Sequence, residues 1–430
     1  MLTDDKMPSI RSWGIVAFLM STMVLSVVDR IGISVMIEPI KIDLHVSDRE
    51  IGLLNGVAFG LFFATLGIPL GWLSDRWSRK GVMALGVAMW TLSTAACGLV
   101  HSFPELMVAR IVVGAGEAGL VPAAYSIIYD RFPERALARA MSVFQVGAMI
   151  GTGLAFIIAG SAYEFFLDHG RELPLIGNMH PWQQTFLALG LPGPLYVVML
   201  SCLRDSRTPG GKVGGEGVGL MAPPIGKANF STYGLLFLGM SGLVAVSYSF
   251  LTWMPTALIR ELHWSAAQVG RIYGSTVLVS APVGLIFGGW LVDKLVARGA
   301  LQPHLLVAFA SAAISLPLNL VFCVAHGPLF LFPLIGVIHF TASVAIGAVP
   351  AFIQIITPRQ SRGLTSAIYV LVINFIGLGI ASVLIGWMSA QAPQDPGALR
   401  TAISAVVLAS LAGATVLLWL LFRRCSRRQE

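Results

Sequence analysis

The chain has 430 residues, 56% of them hydrophobic and only 11% charged, with a formal net charge of +7. Soluble domains carry roughly 25% charged residues, so an ordinary water-soluble protein is excluded. The apolar residues fall in repeated blocks of about 20 or more, enough to cross a ~30 Å hydrocarbon core as helix, and the absence of period-two alternation argues against a transmembrane barrel.

Twelve spans are expected in chain order, near 12–40, 50–74, 81–100, 104–129, 136–160 and 183–202, then near 232–259, 266–293, 303–324, 328–356, 362–388 and 398–422. Several exceed the minimum length and should tilt or kink. The first is too long for the apolar core of a signal peptide and carries Asp29-Arg30, so it reads as a retained first span. Between spans six and seven lies 203–230, with Pro-Gly-Gly-Lys-Val-Gly-Gly-Glu-Gly at 209–217 and Pro223-Pro224. Its apolar content is too low to fold, which makes it a flexible tether. The expected organisation is an all-α membrane protein of two pseudo-symmetric six-helix halves, 1–202 and 231–430, joined by a cytoplasmic linker over 203–230.

Basic residues set the orientation. Arg76, Arg79, Lys80, Arg131, Arg135, Arg139, Arg204, Arg207, Arg423, Arg424, Arg427 and Arg428 share one side with both termini. Lys41, Arg49, Arg171, Arg260 and Arg400 fall on the other, and Arg30, Arg110 and Arg271 fall within spans. The positive charge is therefore a topology signal with both termini cytoplasmic, and no nucleic-acid partner is expected. Cys97, Cys202, Cys323 and Cys425 are scattered with no CxxC pairing, so neither a disulfide framework nor a metal site is indicated.

Two repeats support the halves. Gly71-Trp-Leu-Ser-Asp-Arg-Trp-Ser-Arg-Lys80 returns, altered, as Gly289-Trp-Leu-Val-Asp-Lys-Leu-Val-Ala-Arg298, each closing a long apolar stretch. Pro133, Arg135 and Arg139 precede Gly151-Thr-Gly153 as Pro358 and Arg362 precede Gly377-Leu-Gly379. Glycines so placed let helices approach closely in lipid. Two similar halves, each with a charged turn at one membrane face, are the pattern of a transporter.

The run Gly71-x-Leu73-x-Asp75-Arg76-x-x-Arg79-Lys80 resembles the signature of the major facilitator superfamily, and Arg110-Ile-Val-Val-Gly-Ala-Gly-Glu117-Ala-Gly resembles its fourth-span motif. Within that superfamily, Asp29-Arg30, Ser78, and Glu117 followed by Pro122 and Tyr125 are similar to the Spinster group of lipid transporters. The resemblance implies alternating access and an amphiphilic lipid such as a lysophospholipid or sphingoid phosphate. The alternative is an organic-anion symporter or a multidrug exporter.

An ionisable group inside a span is costly and is a functional hypothesis by default. Arg110 and Glu117 lie on one helix face two turns apart, roughly 10 Å. Asp29 and Glu117 are the expected protonation sites, with Arg110 as switching partner and Arg30 reaching the central cavity; the alternative is a fixed salt bridge that sets helix register. Gly114-Ala-Gly-Glu-Ala-Gly119 matches GxGxxG, but no strand precedes it, so packing explains it better than nucleotide binding. In the charged turns, Asp75 is expected to face the N-terminal end of span eleven and Asp293 that of span five. Arg76 and Arg79 are expected to pair with Asp130. With Gly71 these form a cytoplasmic gate, the plainer alternative being topology alone.

Polar or aromatic residues within later spans are the expected substrate contacts: Arg30, Tyr125, Gln145, Trp253, Tyr369 and Asn374, with Tyr248 and Arg271 behind them. Asn374 is the strongest, because a mid-span amide needs a partner. His339 reads as a satisfied polar residue. No HExxH, GxSxG or His/Asp cluster appears, so an enzyme is not expected, and no cofactor is needed beyond the proton as coupling ion. The expected setting is a bacterial plasma membrane, crossed many times by a monomer in contact with membrane lipid and an amphiphilic substrate.

Overall fold

The computed structural model describes residues 9–76, 78–170, 179–203, 227–358 and 361–426. Twelve helices are long and apolar enough to span a membrane: Ile10–Val35, Asp48–Gly67, Arg79–Cys97, Phe103–Tyr129, Arg139–His169, Pro181–Cys202, Phe230–Leu262, Ala266–Ala297, Pro303–Val324, Pro328–Ile356, Thr365–Ser389 and Ala398–Ser426. They are numbered here as spans one to twelve, and the described residues contain no strand.

Local chemistry starts several of these helices. Ser9 caps span one by accepting the Ser12 amide at 3.2 Å. At span eight, Ser265 and Gln268 form a reciprocal capping box, 3.2 and 3.0 Å. Spans six, nine and ten each open on a proline, whose missing N–H would have been unpaired there anyway. Exposed Leu329, Ile286 and Val324 cover the outside, a surface suited to lipid chains.

Two boundaries differ from the sequence expectation. The helix of span five runs to His169 rather than 160, and that of span seven begins at Lys227, inside the expected tether. The apolar run marks where the hydrocarbon ends, whereas backbone hydrogen bonding continues past it. The rest of the tether, 204–226, lies outside the described residues.

The halves meet along two seams, span two against span eleven and span five against span eight. Close approach at both depends on glycine. A Cβ on Gly274 would sit 2.8 Å from the carbonyl oxygen of Gly153, and one on Gly56 would collide with the carbonyl of Gly379. The repeated pairs Gly151/Gly153 and Gly377/Gly379 thus lie at helix contacts. Where span two meets span eleven, both helices widen into π-helical segments, Leu54–Leu61 and Phe375–Ile380, which face each other. Such wide turns are frequent at functional sites.

Candidate functional site

The α-helix of span one ends at Ile31 and passes into a tighter turn over Gly32–Val35. Carbonyls at a helix C-terminus lack intrahelical partners, and Arg110 of span four serves two of them. Its Nη1 donates to the Asp29 carbonyl at 3.1 Å and its Nη2 to the Arg30 carbonyl at 2.9 Å. Arg110 therefore grips the main chain of span one, not the carboxylate expected as its switching partner. Glu117, on the last turn of its helix segment, pairs instead with Arg30. The Arg30 Nε lies 3.1 Å and Nη2 3.0 Å from its Oε2, while its Oε1 is buried without a partner. Asp29 is buried with neither oxygen hydrogen-bonded, beside the equally unpartnered indole N–H of Trp90.

The two arginines share an aromatic wall. Arg30 lies 4.8 Å from the Phe63 ring centroid and 5.4 Å from that of Phe59, and Arg110 lies 5.4 Å from Phe59. Arg30 also opens onto a narrow cavity of about 20 Å3, lined with Asn55, Phe59, Tyr248 and Thr252 among others. In this conformation it has room for little more than a water molecule.

Of the expected substrate contacts, Arg30 and Tyr248 line this cavity. Asn374 is one step behind it, and its amide is committed: Oδ1 accepts from the Tyr248 hydroxyl at 2.9 Å and Nδ2 donates to the Val370 carbonyl at 2.8 Å. Trp253 is fully buried and donates to Ser382, 3.2 Å. Tyr125 packs edge-on to Phe144 at 5.8 Å and Tyr369 against Phe237 at 5.4 Å. Gln145 and Arg271 are exposed. An aromatic or amide in an apolar run is visible in sequence, but the face it occupies is not. His339 is met by the Tyr273 hydroxyl at 3.0 Å.

Five residues missed by the sequence reading close the bundle at the end opposite the tether. Arg260, in the last turn of span seven, donates to Glu38 at 2.8 and 2.6 Å and to Asp48 at 2.9 and 2.6 Å. Lys41 reaches Asp48 at 2.6 Å, as does the Ser389 hydroxyl. Arg260 and Ser389 belong to the second half, Glu38, Lys41 and Asp48 to the first.

At the tether end the described ion pairs and hydrogen bonds stay within one half. Arg79 pairs with Asp130, as expected, and also donates to the Ser126 carbonyl at 3.0 Å. Lys80 donates to the Leu203 carbonyl, 3.1 Å. Asp293 is exposed and makes no ion pair or hydrogen bond among the described residues, so its expected contact with span five is not formed. Gly71, Asp75 and Arg76 lie in helix, but their side chains fall outside the described residues.

Residues 18–382 match the profile of the Major Facilitator Superfamily. A protein of Mycolicibacterium smegmatis described as an MFS-type efflux pump is 26% identical over 97% of this chain and 94% of its own length. Protein spinster homolog 1 of Xenopus tropicalis is 34% identical over 34% of this chain, matching 28% of its own length. Among solved structures, a bacterial homolog of the human lysosomal transporter Spinster, inward-facing and unoccupied, aligns with a TM-score of 0.80 at 23% identity, covering 97% of this chain and 98% of that one.

Proposed function

This chain belongs to the Major Facilitator Superfamily of membrane transporters, and from that premise we propose that it is a proton-coupled carrier of an anionic amphiphile such as a lysophospholipid. The observation that carries this reading is the division of labour among the buried charges. Glu117 neutralises Arg30, one of two arginines that line the cavity and the one not committed to main-chain carbonyls, while Asp29 holds no direct partner. An incoming anion competes with Glu117 for the same guanidinium. A displaced Glu117 is a buried charge without compensation, a state costly enough that taking up a proton relieves it. Substrate and proton then favour each other's binding, which is the thermodynamic content of symport.

Alternating access supplies the second element. Among the described residues, the hydrogen bonds and ion pairs that cross between the halves cluster at the end opposite the tether: Arg260 with Glu38 and Asp48, Ser389 with Asp48, and Ser265 with Glu164 at 2.9 Å. This pattern fits a carrier sealed on its outer side, with the tether and both termini in the cytoplasm of a bacterium, working as a monomer in the plasma membrane. Separation of the far ends and closure of the tether end would complete the cycle.

A second reading has a specific observation behind it. The cavity is narrow and bears polar groups from four spans, which suits a compact organic anion better than a long acyl chain. The near full-length similarity to an efflux pump adds a drug exporter to that alternative. Purified protein in liposomes loaded with a pH-sensitive dye separates the readings. Proton flux driven by lysophosphatidate supports the proposal. Flux with gluconate or a cationic drug alone replaces it with the alternative, and substrate movement without proton flux removes coupling.

A further inference from the structure

Two asparagines sit mid-span near the cavity, and their surroundings are opposite. Asn374 has both ends of its amide engaged within the second half. Asn55 is 5% exposed, yet its amide makes no hydrogen bond among the described residues, and its Nδ2 is buried without a partner. In lipid, where no water competes, a polar group without a partner is strongly disfavoured. Asn55 lines the cavity together with Arg30 and Thr252. It lies in the π-helical segment of span two, immediately before Gly56, where span eleven approaches closely at Gly379.

We infer that Asn55 is a substrate-binding residue that donates a hydrogen bond from Nδ2 to an uncharged acceptor oxygen of the substrate, next to the anionic group taken by Arg30. The inference rests on reading this cavity as the substrate site. It deepens that reading by assigning the substrate two polar features: an anion, and an ester carbonyl or hydroxyl oxygen close to it. A site built to hydrogen-bond such an oxygen rejects the analogue lacking it, because the protein group is then left unpaired. Arg30 selects for charge and Asn55 for the neighbouring oxygen.

The discriminating probes share the anion and differ in the second oxygen. Oleoyl lysophosphatidate carries an ester carbonyl and a hydroxyl beside its phosphate; oleyl phosphate carries neither. Binding of both is measured on the full-length protein in nanodiscs. The unsubstituted protein is expected to favour the lysophosphatidate about tenfold, the value of one hydrogen bond. In Asn55→Leu that ratio falls to about one, and Asn55→Ala gives the same answer should the larger side chain impair folding. A ratio near one in the unsubstituted protein, or a ratio unmoved by either substitution, overturns the assignment. If neither lipid binds but gluconate does, the lipid reading fails, and Asn55 is judged on the ratio of gluconate to hexanoate. Binding of none of the four overturns both.

Discussion

Arg260 of span seven and Asp48 of span two are joined by two parallel hydrogen bonds, Nη1 to Oδ2 at 2.9 Å and Nη2 to Oδ1 at 2.6 Å. The Asp48 side chain is 4% exposed and that of Arg260 16%, so this fork-to-fork pair is sheltered from water and salt. Breaking a hydrogen bond to a charged group costs about 1.5–3 kcal/mol, roughly ten- to hundredfold in an equilibrium. Asp48→Asn and Arg260→Gln are expected to shift the protein by that factor toward the form open at this end. Spin-label distances between the far ends of spans two and eleven report the shift. Distributions matching the unsubstituted protein in both variants would show that the pair does not hold the halves.

The grip of Arg110 on main-chain oxygens separates its role from that of the Asp29 carboxylate. Arg110→Met removes two charge-assisted bonds and leaves two carbonyls near the membrane centre unsatisfied, a loss of about 2–4 kcal/mol. Asp29→Asn keeps both bonds, since the carbonyl at 29 is unchanged. Thermal unfolding in detergent should show a lower midpoint for the first variant and a near-unchanged one for the second. Equal destabilisation would mean that the Asp29 side chain itself anchors the two spans.

Proton coupling is expected to fail in Asp29→Asn and Glu117→Gln while substrate exchange persists. Both variants keep the shape of the cluster and remove only a titrating group. Counterflow of labelled substrate at equal pH on both sides should continue, and uphill uptake driven by a pH gradient should stop. Continued pH-driven uptake in either variant removes that carboxylate from the coupling mechanism.

Gly56→Leu should oppose closure of the seam between spans two and eleven, because any Cβ there strikes the Gly379 carbonyl. Overpacking of this kind costs roughly 1–3 kcal/mol. Both outcomes of that strain, a lowered unfolding midpoint or a far end biased open, are read by the measurements above. Neither change would mean that the two wide turns slide past each other without contact.

The spans were legible because a hydrocarbon core demands a long apolar run, and Asp29, Arg30, Arg110 and Glu117 because charge stands out inside one. Arg260, Glu38, Lys41 and Asp48 escaped notice because each sits at a helix end, where charge is ordinary, and because Arg260 lies 212 residues from Asp48 in the chain. A signal was nonetheless present. Lys41, Arg260 and Arg400 run against the charge bias that orients the protein, and all three are held in ion pairs, with Asp48, with Glu38 and Asp48, and with Glu261. Of the other two such cations, Arg49 is exposed with no ion pair among the described residues, and Arg171 lies outside them. Asn374 and Asn55 show the opposite limit: the sequence reading singled out the first as a mid-span amide and passed over the second, and the fold shows the first satisfied and the second open.

The pairing of Arg30 with Glu117 has an electrical corollary. With the cavity empty, the formal charges of Arg30 and Glu117 sum to zero. With one monoanion on Arg30 and one proton on Glu117, the sum is zero again. On the proposed exchange, neither the loaded nor the empty transit carries charge through the membrane field, which acts with roughly 2.3 kcal/mol per elementary charge per 100 mV. Voltage then does no work on the cycle. Its direction is set by acidity and substrate concentration alone, whichever way the cell is polarised.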